Sequence, residues 1–397
     1  MMRGWRRAIP MGIALTGLFG STIAVTATAA AASPKPSFTT VASGFDNPRG
    51  IAIGEDGHLY VAEAGRGGTK CVAGGGGGGN TCVGATGGVS VISEGGSHHQ
   101  IVSGLLSVSD TGGVFATGPD GLSRTSDGAL YTVMTSCPQQ LSQLPAAAFD
   151  SSIAAAKAQA GQVIRVRRHG KFETTAGVGK FDWEWSKTHT SLVPGQFPDC
   201  NPYGILAGEH GQWVVDAATN TLDRVSSDGK VKIVAFFPNP PSSDAVPTCL
   251  DRGPDGALYI GELTGGGNKP GASIVWRVDT REEHPTPTMW ASGLTAVTGC
   301  GFADGKFYAT EFSTLGLDNA APGTGAVVRV SAHSTSPTVV ADGLSFPNGF
   351  AAHGNSIYVS NWSIAPAVIP AGAPPFVKPG EVVRIQTHGS DHDGDDD

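Results

Sequence analysis

Four carboxylates and one amide recur at the same place in a repeated phrase: Glu63, Asp216, Glu262, Glu311 and Asn361 each end a short apolar run, and Met134 holds that place in the remaining copy. Oxygen donors set around a ring are what a calcium ion requires, since it takes six to eight oxygens at short range. A metal held there would polarise a carbonyl for hydrolysis. The same side chains at a strand end also serve as caps that accept backbone N–H groups of their own repeat. A second ring stands where each copy begins, at Arg49, Tyr203, Thr248, Gly299 and Asn348. A third group, Trp183, Trp185 and His189 with Asp182 and Glu184, lies in the segment DWEWSKTHT. His58, His210 and His353 fall in turns, so they form no cluster. The chain has no Gly-x-Ser-x-Gly elbow, phosphate-binding loop or His-Glu-x-x-His pair.

The elements that must position these groups follow from the repeat itself. The copies are NPRGIAIGEDGHLYVAEA, GPDGLSRTSDGALYTVMT, NPYGILAGEHGQWVVDAA, VPTCLDRGPDGALYIGEL, VTGCGFADGKFYATEF and FPNGFAAHGNSIYVSNW. Each reads as two strands joined by a tight glycine turn, and two more strand-like runs follow it, such as GAVVRVSA and SPTVVADGL. With 58 Gly, 26 Pro and only 15% charged residues, long helices and coiled coils are disfavoured. The pattern predicts an all-β chain, a six-bladed β-propeller of four-stranded antiparallel blades. The last unit has three strands ending at Gln386, whereas SFTTVASGF near the beginning copies the fourth strand of other units. That segment is expected to complete the last blade and close the ring, which makes residues 33–388 one domain. The repeats exceed the roughly 40 to 50 residues usual in propellers, and the excess falls in insertions at 65–88, 136–161 and 177–198. All three are expected on the face where the first strands begin.

Arg3, Arg6 and Arg7 precede an apolar run and an Ala-rich stretch, so residues 1–32 read as a signal peptide, by the general or the twin-arginine route. A retained membrane anchor is the alternative, and no later segment is apolar enough to span a bilayer. A secreted, extracytoplasmic protein makes its six cysteines three disulfides. Cys249 and Cys300 are read in equivalent slots of adjacent units, where other copies carry Gly50, Gly204 and Gly349, and are paired with each other. Cys71 with Cys82 closes a local loop, and Cys137 with Cys200 follows by elimination. The net charge of −8 repels phosphate backbones, so no nucleic-acid partner is expected. The tail at 389–397, ending DHDGDDD, reads as acidic and disordered.

DNPRGIAIGEDGHLYVAEAGRGG, DCNPYGILAGEHGQWVVDAATNTLDRVSSDG, VPTCLDRGPDGALYIGELTGG and TGCGFADGKFYATEF resemble the ScyD/ScyE family of exported propeller proteins over nearly the whole mature chain. That resemblance implies a secreted six-bladed propeller and carries over no catalytic residues. Pro347-Asn348-Gly349 also resembles the first-strand start of calcium-dependent six-bladed lactonases of the gluconolactonase and paraoxonase type, where an Asn is a metal ligand. Arg49 and Tyr203 depart from that ligand set, because a cation beside Arg49 is repelled. The reading taken forward is a monomeric binding or scaffold protein for a small molecule, glycan or protein. The loop-face binding candidates are Arg49, Trp183, Trp185, His189 and Tyr203. The alternative is a calcium-dependent lactonase or esterase using Glu63, Asp216, Glu262, Glu311, Asn361 and Asn348.

Overall fold

The structure, a computed structural model, describes residues 38–387 except 74–78, 150–152, 168, 240, 242–243 and 266–268. The expected signal peptide and acidic tail lie outside these residues. Alternating apolar positions and tight turns fold the rest into six four-stranded antiparallel blades arranged as a ring. The innermost strands are Pro48–Ile53, Pro119–Arg124, Pro202–Gly208, Pro247–Arg252, Val297–Ala303 and Phe350–His353. The N-terminal strand Phe38–Phe45 pairs with Gly380–Gln386, from Phe38 opposite Ile385 to Phe45 opposite Gly380, and so supplies the outer strand of blade six. Blade one carries an extra short strand, Cys71–Ala73, on an extended third strand, Asn80–Ile92.

Apolar packing follows the ring. Each pair of neighbouring blades shares its own buried cluster, such as Leu222, Leu258, Ile260 and Trp276 between blades three and four. The pair formed by closure is no exception: Ala42 and Phe45 of the N-terminal strand pack on Ile51, Val61 and Ile92 of blade one. A further cluster lies across the loop face. It joins Ala217, Val246, Leu263, Ala296, Phe312, Phe346 and Trp362 from blades three to six with Ile364 and Ala365 of the blade-six loop.

The inner strands approach one another closely at one level. A Cβ on Gly50, Gly121, Gly204, Gly299 or Gly349 would stand within 2.4–2.7 Å of a carbonyl oxygen of the next blade, so only glycine allows this backbone contact. Blade four has Cys249 in that slot and bonds it to Cys300 of blade five, with Cα atoms 5.6 Å apart. The register corrects the sequence reading in one respect. Gly299 faces Thr310 as Cys249 faces Gly261, so Gly299 is the counterpart of Cys249, and Cys300 sits one residue deeper along its strand. The disulfide forms across the step. Cys71–Cys82 and Cys137–Cys200 are bonded as expected, at Cα separations of 4.1 and 5.3 Å. Among the described residues no helix is long and apolar enough to cross a membrane.

Candidate functional site

The register that moves Gly299 also redraws the ring at the start of the inner strands. In five blades the pairing shifts just after the first residue of the inner strand, as between Pro202 and Gly204. Such a bulge re-aims the intervening side chain. The equivalent positions are Arg49, Asp120, Tyr203, Thr248, Thr298 and Asn348; Thr298 replaces Gly299, and Asp120 is the member that sequence reasoning missed. Its signal was present, because GPDG aligns with NPRG and NPYG. An aspartate in a Pro-Asp-Gly turn reads as turn chemistry, and that concealed it.

Four of these side chains meet. Arg49 Nε lies 3.8 Å from Asp120 Oδ2, Arg49 Nη2 donates to the Ala116 carbonyl at 2.6 Å, and Asn348 Nδ2 donates to the Tyr203 hydroxyl at 2.8 Å. Thr248 and Thr298 spend their hydroxyls on the carbonyls of Val297 and Pro347 in the next blade. Arg49, Asp120 and Asn348 are buried, yet Arg49 Nε has no hydrogen-bond partner among the described residues. Burial pushes the Asp120 carboxyl up to about 7 against the pull of Arg49. Burial likewise raises the Tyr203 phenol, with the Asp120 charge adding to it. Asp120 and Tyr203 therefore both hold protons readily, beside a guanidinium that never gives one up.

Asp120, Tyr203 and Asn348 of this cluster line one end of the central channel. A cavity of about 380 Å³ runs from Asp120, Tyr203, Thr248, Thr298 and Asn348 along the glycine-lined inner strands to Ile53, Arg124, Asp251, Phe302 and Ala352. The loop-face end is closed by the apolar cluster, against which Tyr203 packs. Side chains at the far end are half-buried, so the channel opens on the face of the short turns. Ala217, Leu263, Phe312 and Trp362, each just after a second strand, belong to that apolar closure.

The carboxylate ring has the expected register but not a common focus. Three members reach back to the start of their own blades: Glu63 Oε2 accepts from Asp46 N at 2.8 Å, Glu311 Oε1 from Thr295 N at 2.7 Å, and Asn361 Oδ1 from Ser345 N at 2.7 Å. Asp216 accepts from the backbone N–H groups of Asn201, Ala218 and Thr219. Glu262 accepts from the Trp276 indole at 2.7 Å. Blade two, with Met134, uses the Thr135 hydroxyl on Gly118 N instead. Burial lifts Glu311 to about 7 even so. Among the described residues no three His, Cys, Asp or Glu side chains are arranged to hold a metal ion.

The loop-face candidates divide. Tyr203 lines the channel floor and Arg49 pairs with Asp120 there, whereas Trp183, Trp185 and His189 lie on or beside the helix Val178–Thr188 between blades two and three. Trp185 stacks on His189 with ring centroids 4.3 Å apart and also meets Phe197 and Phe236. These rings fasten the helix to blade three and do not join the floor.

No protein-family model and no curated protein matches the chain. Solved structures do. A protein assigned as an oxidoreductase (glucose dehydrogenase) from Thermus thermophilus aligns at TM-score 0.51 and 14% identity over 87% of this chain and 98% of that one. A gluconolactonase from Xanthomonas campestris aligns at TM-score 0.51 and 10% identity over 88% and 89%. A catalytically inactive virginiamycin B lyase from Staphylococcus aureus aligns at TM-score 0.45 and 12% identity over 89% and 99%. At such identities the likeness is one of fold.

Proposed function

We propose that this chain is an exported six-bladed propeller of the ScyD/ScyE kind that binds a small polar molecule in its central channel. The observation that carries this reading is a set of polar side chains, Asp120, Tyr203 and Asn348, lining the closed end of the cavity with the buried Arg49 paired to Asp120. Arg49 Nε has no hydrogen-bond partner among the described residues and stands 3.8 Å from Asp120. A buried donor beside a buried acceptor costs stability unless something bridges them. A polar ligand group in the cavity can reach Asp120, which lines it. Asn348 and Tyr203 set a second polar contact on the same floor. The glycine-lined wall leaves room for the ligand body and offers backbone polar groups. Three disulfides suit an oxidising compartment.

The hydrolase alternative has less support, because the ring of Glu63, Asp216, Glu262, Glu311 and Asn361 is engaged within single blades. The test is a thermal-shift screen of neutral sugars, sugar lactones, hydroxy acids and amines against the wild-type protein and the Asp120→Asn and Asn348→Ala variants. A ligand at a hundred times its dissociation constant adds about 2.7 kcal/mol of stability. A hit that weakens in both variants supports the channel site. Hits that are indifferent to both substitutions refute it. Calcium-dependent turnover of a lactone would restore the alternative.

A further inference from the structure

The helix Val178–Thr188 presents Val178, Asp182 and Ser186 to the body of the protein, four residues apart on one face. The middle residue of that apolar-to-polar stripe is a carboxylate with no exposure to solvent. Asp216 and Asp223 of blade three are equally buried, and the charges of both act on it. Neither oxygen of Asp182, nor Oδ1 of Asp223, has a hydrogen-bond donor among the described residues.

Asp182 and Asp216 nevertheless lie within hydrogen-bond reach of each other. Two carboxylates are both acceptors, so a proton is what can join them. Which of the two carries it follows from their surroundings. Asp216 accepts backbone N–H groups from three residues, which favours its ionised form. Asp182 has no such support, and burial with the charges of Asp223 and Asp216 raises its carboxyl well above the usual range. Among the described residues no other charged group offsets this. Asp199, on the connection before blade three, adds a further acid, pushed up to about 7 chiefly by burial. Lys180 and Lys187 point to solvent, Lys187 being paired with Glu184, and His189 Nδ1 is bonded to the Trp185 carbonyl.

We propose that one proton shared between Asp182 and Asp216 latches the helix Val178–Thr188 onto blade three, and that the latch weakens as pH rises. Removal of the proton leaves adjacent buried anions whose repulsion is relieved by lifting the helix. The latch bears on the channel floor as well. Asp216 also holds the N–H of Asn201, two residues before Tyr203.

Hydrogen exchange of the helix, corrected for intrinsic pH dependence, is compared between wild type and Asp182→Asn from pH 6 to 9. In the wild type the opening constant of the helix should rise with pH, approaching about tenfold per unit for one proton. The asparagine amide supplies the missing donor at every pH, so the variant should show a shallower slope, the part left to Asp199 and Asp223, and should melt above wild type at the alkaline end. Equal slopes in the two proteins, or a variant more open at all pH values, overturn the proposal. So does a calcium-induced rise in wild-type melting that Asp182→Asn abolishes, since a cation would then be the joining group. Should the variant not fold, a pH-independent helix in the wild type overturns it alone.

Discussion

At the scale of single residues, the ring of carboxylates shows how one side chain can serve a fold more than a reaction. Glu311 caps Thr295 N within its own blade. Glu311→Ala leaves that buried N–H without an acceptor and should cost about 1–3 kcal/mol in urea unfolding. Glu311→Gln retains an acceptor and should cost less. The two variants also differ from wild type in pH dependence. Burial raises Asp120, Asp199 and Glu311 to about 7 in the folded chain, against an unfolded value of about 4. The folded state therefore binds more protons between those values. Stability is greatest below about pH 4 as far as these groups decide it, and falls as pH rises to about 7. Melting temperatures across that window should show the decline, and Glu311→Gln should make it shallower. Asn361-Trp362-Ser363 has the form of a glycosylation sequon, but Asn361 is buried with both ends of its amide engaged.

At the scale of elements, the inner strands owe their spacing to a ring of glycines. A Cβ at Gly349 would meet the Arg49 carbonyl oxygen at 2.4 Å. Gly349→Ala should therefore push blades six and one apart and cost about 1–3 kcal/mol, read as a lower denaturation midpoint. Blade four replaces the glycine with Cys249, and there the disulfide to Cys300 ties the neighbouring strands, closing a sequence separation of 51. Replacing both cysteines by alanine should cost about 2–5 kcal/mol. The comparison to make is with Cys71 and Cys82, which bridge residues already paired across a local hairpin; their replacement should cost less, because a shorter loop is released.

At the scale of the molecule, closure is one of six equivalent packing problems, and its solution lies at the opposite end of the chain from the strands it completes. Phe45 is fully buried between blade six and blade one. Phe45→Ala should cost about 3–5 kcal/mol, comparable to a core residue midway along the chain. Removing Phe38–Phe45 should do more: Gly380–Gln386 becomes an edge strand, and self-association in size-exclusion chromatography is the expected outcome.

The repeat made blade number, strand order and closure legible in the sequence. Period-two patterning fixes which face of a strand is buried, and glycine turns fix where strands meet. Equivalent second-strand residues, Glu63 to Asn361, could be aligned for the same reason. The disulfide partners were legible as well, because six cysteines in a ring of known order leave few neighbours within reach. Tertiary structure alone decided what those aligned residues do. A bulge of one residue turns Thr298 rather than Gly299 inward and brings Asp120 to Arg49, and no sequence period records such a shift. The apolar side chains after the second strands close the loop-face end of the channel only once four blades and a loop bring them together. Asp182 meets Asp216 because an insertion folds back as a helix on blade three. Local pattern is written in neighbouring residues; a site assembled from distant ones is set by the packing that joins them.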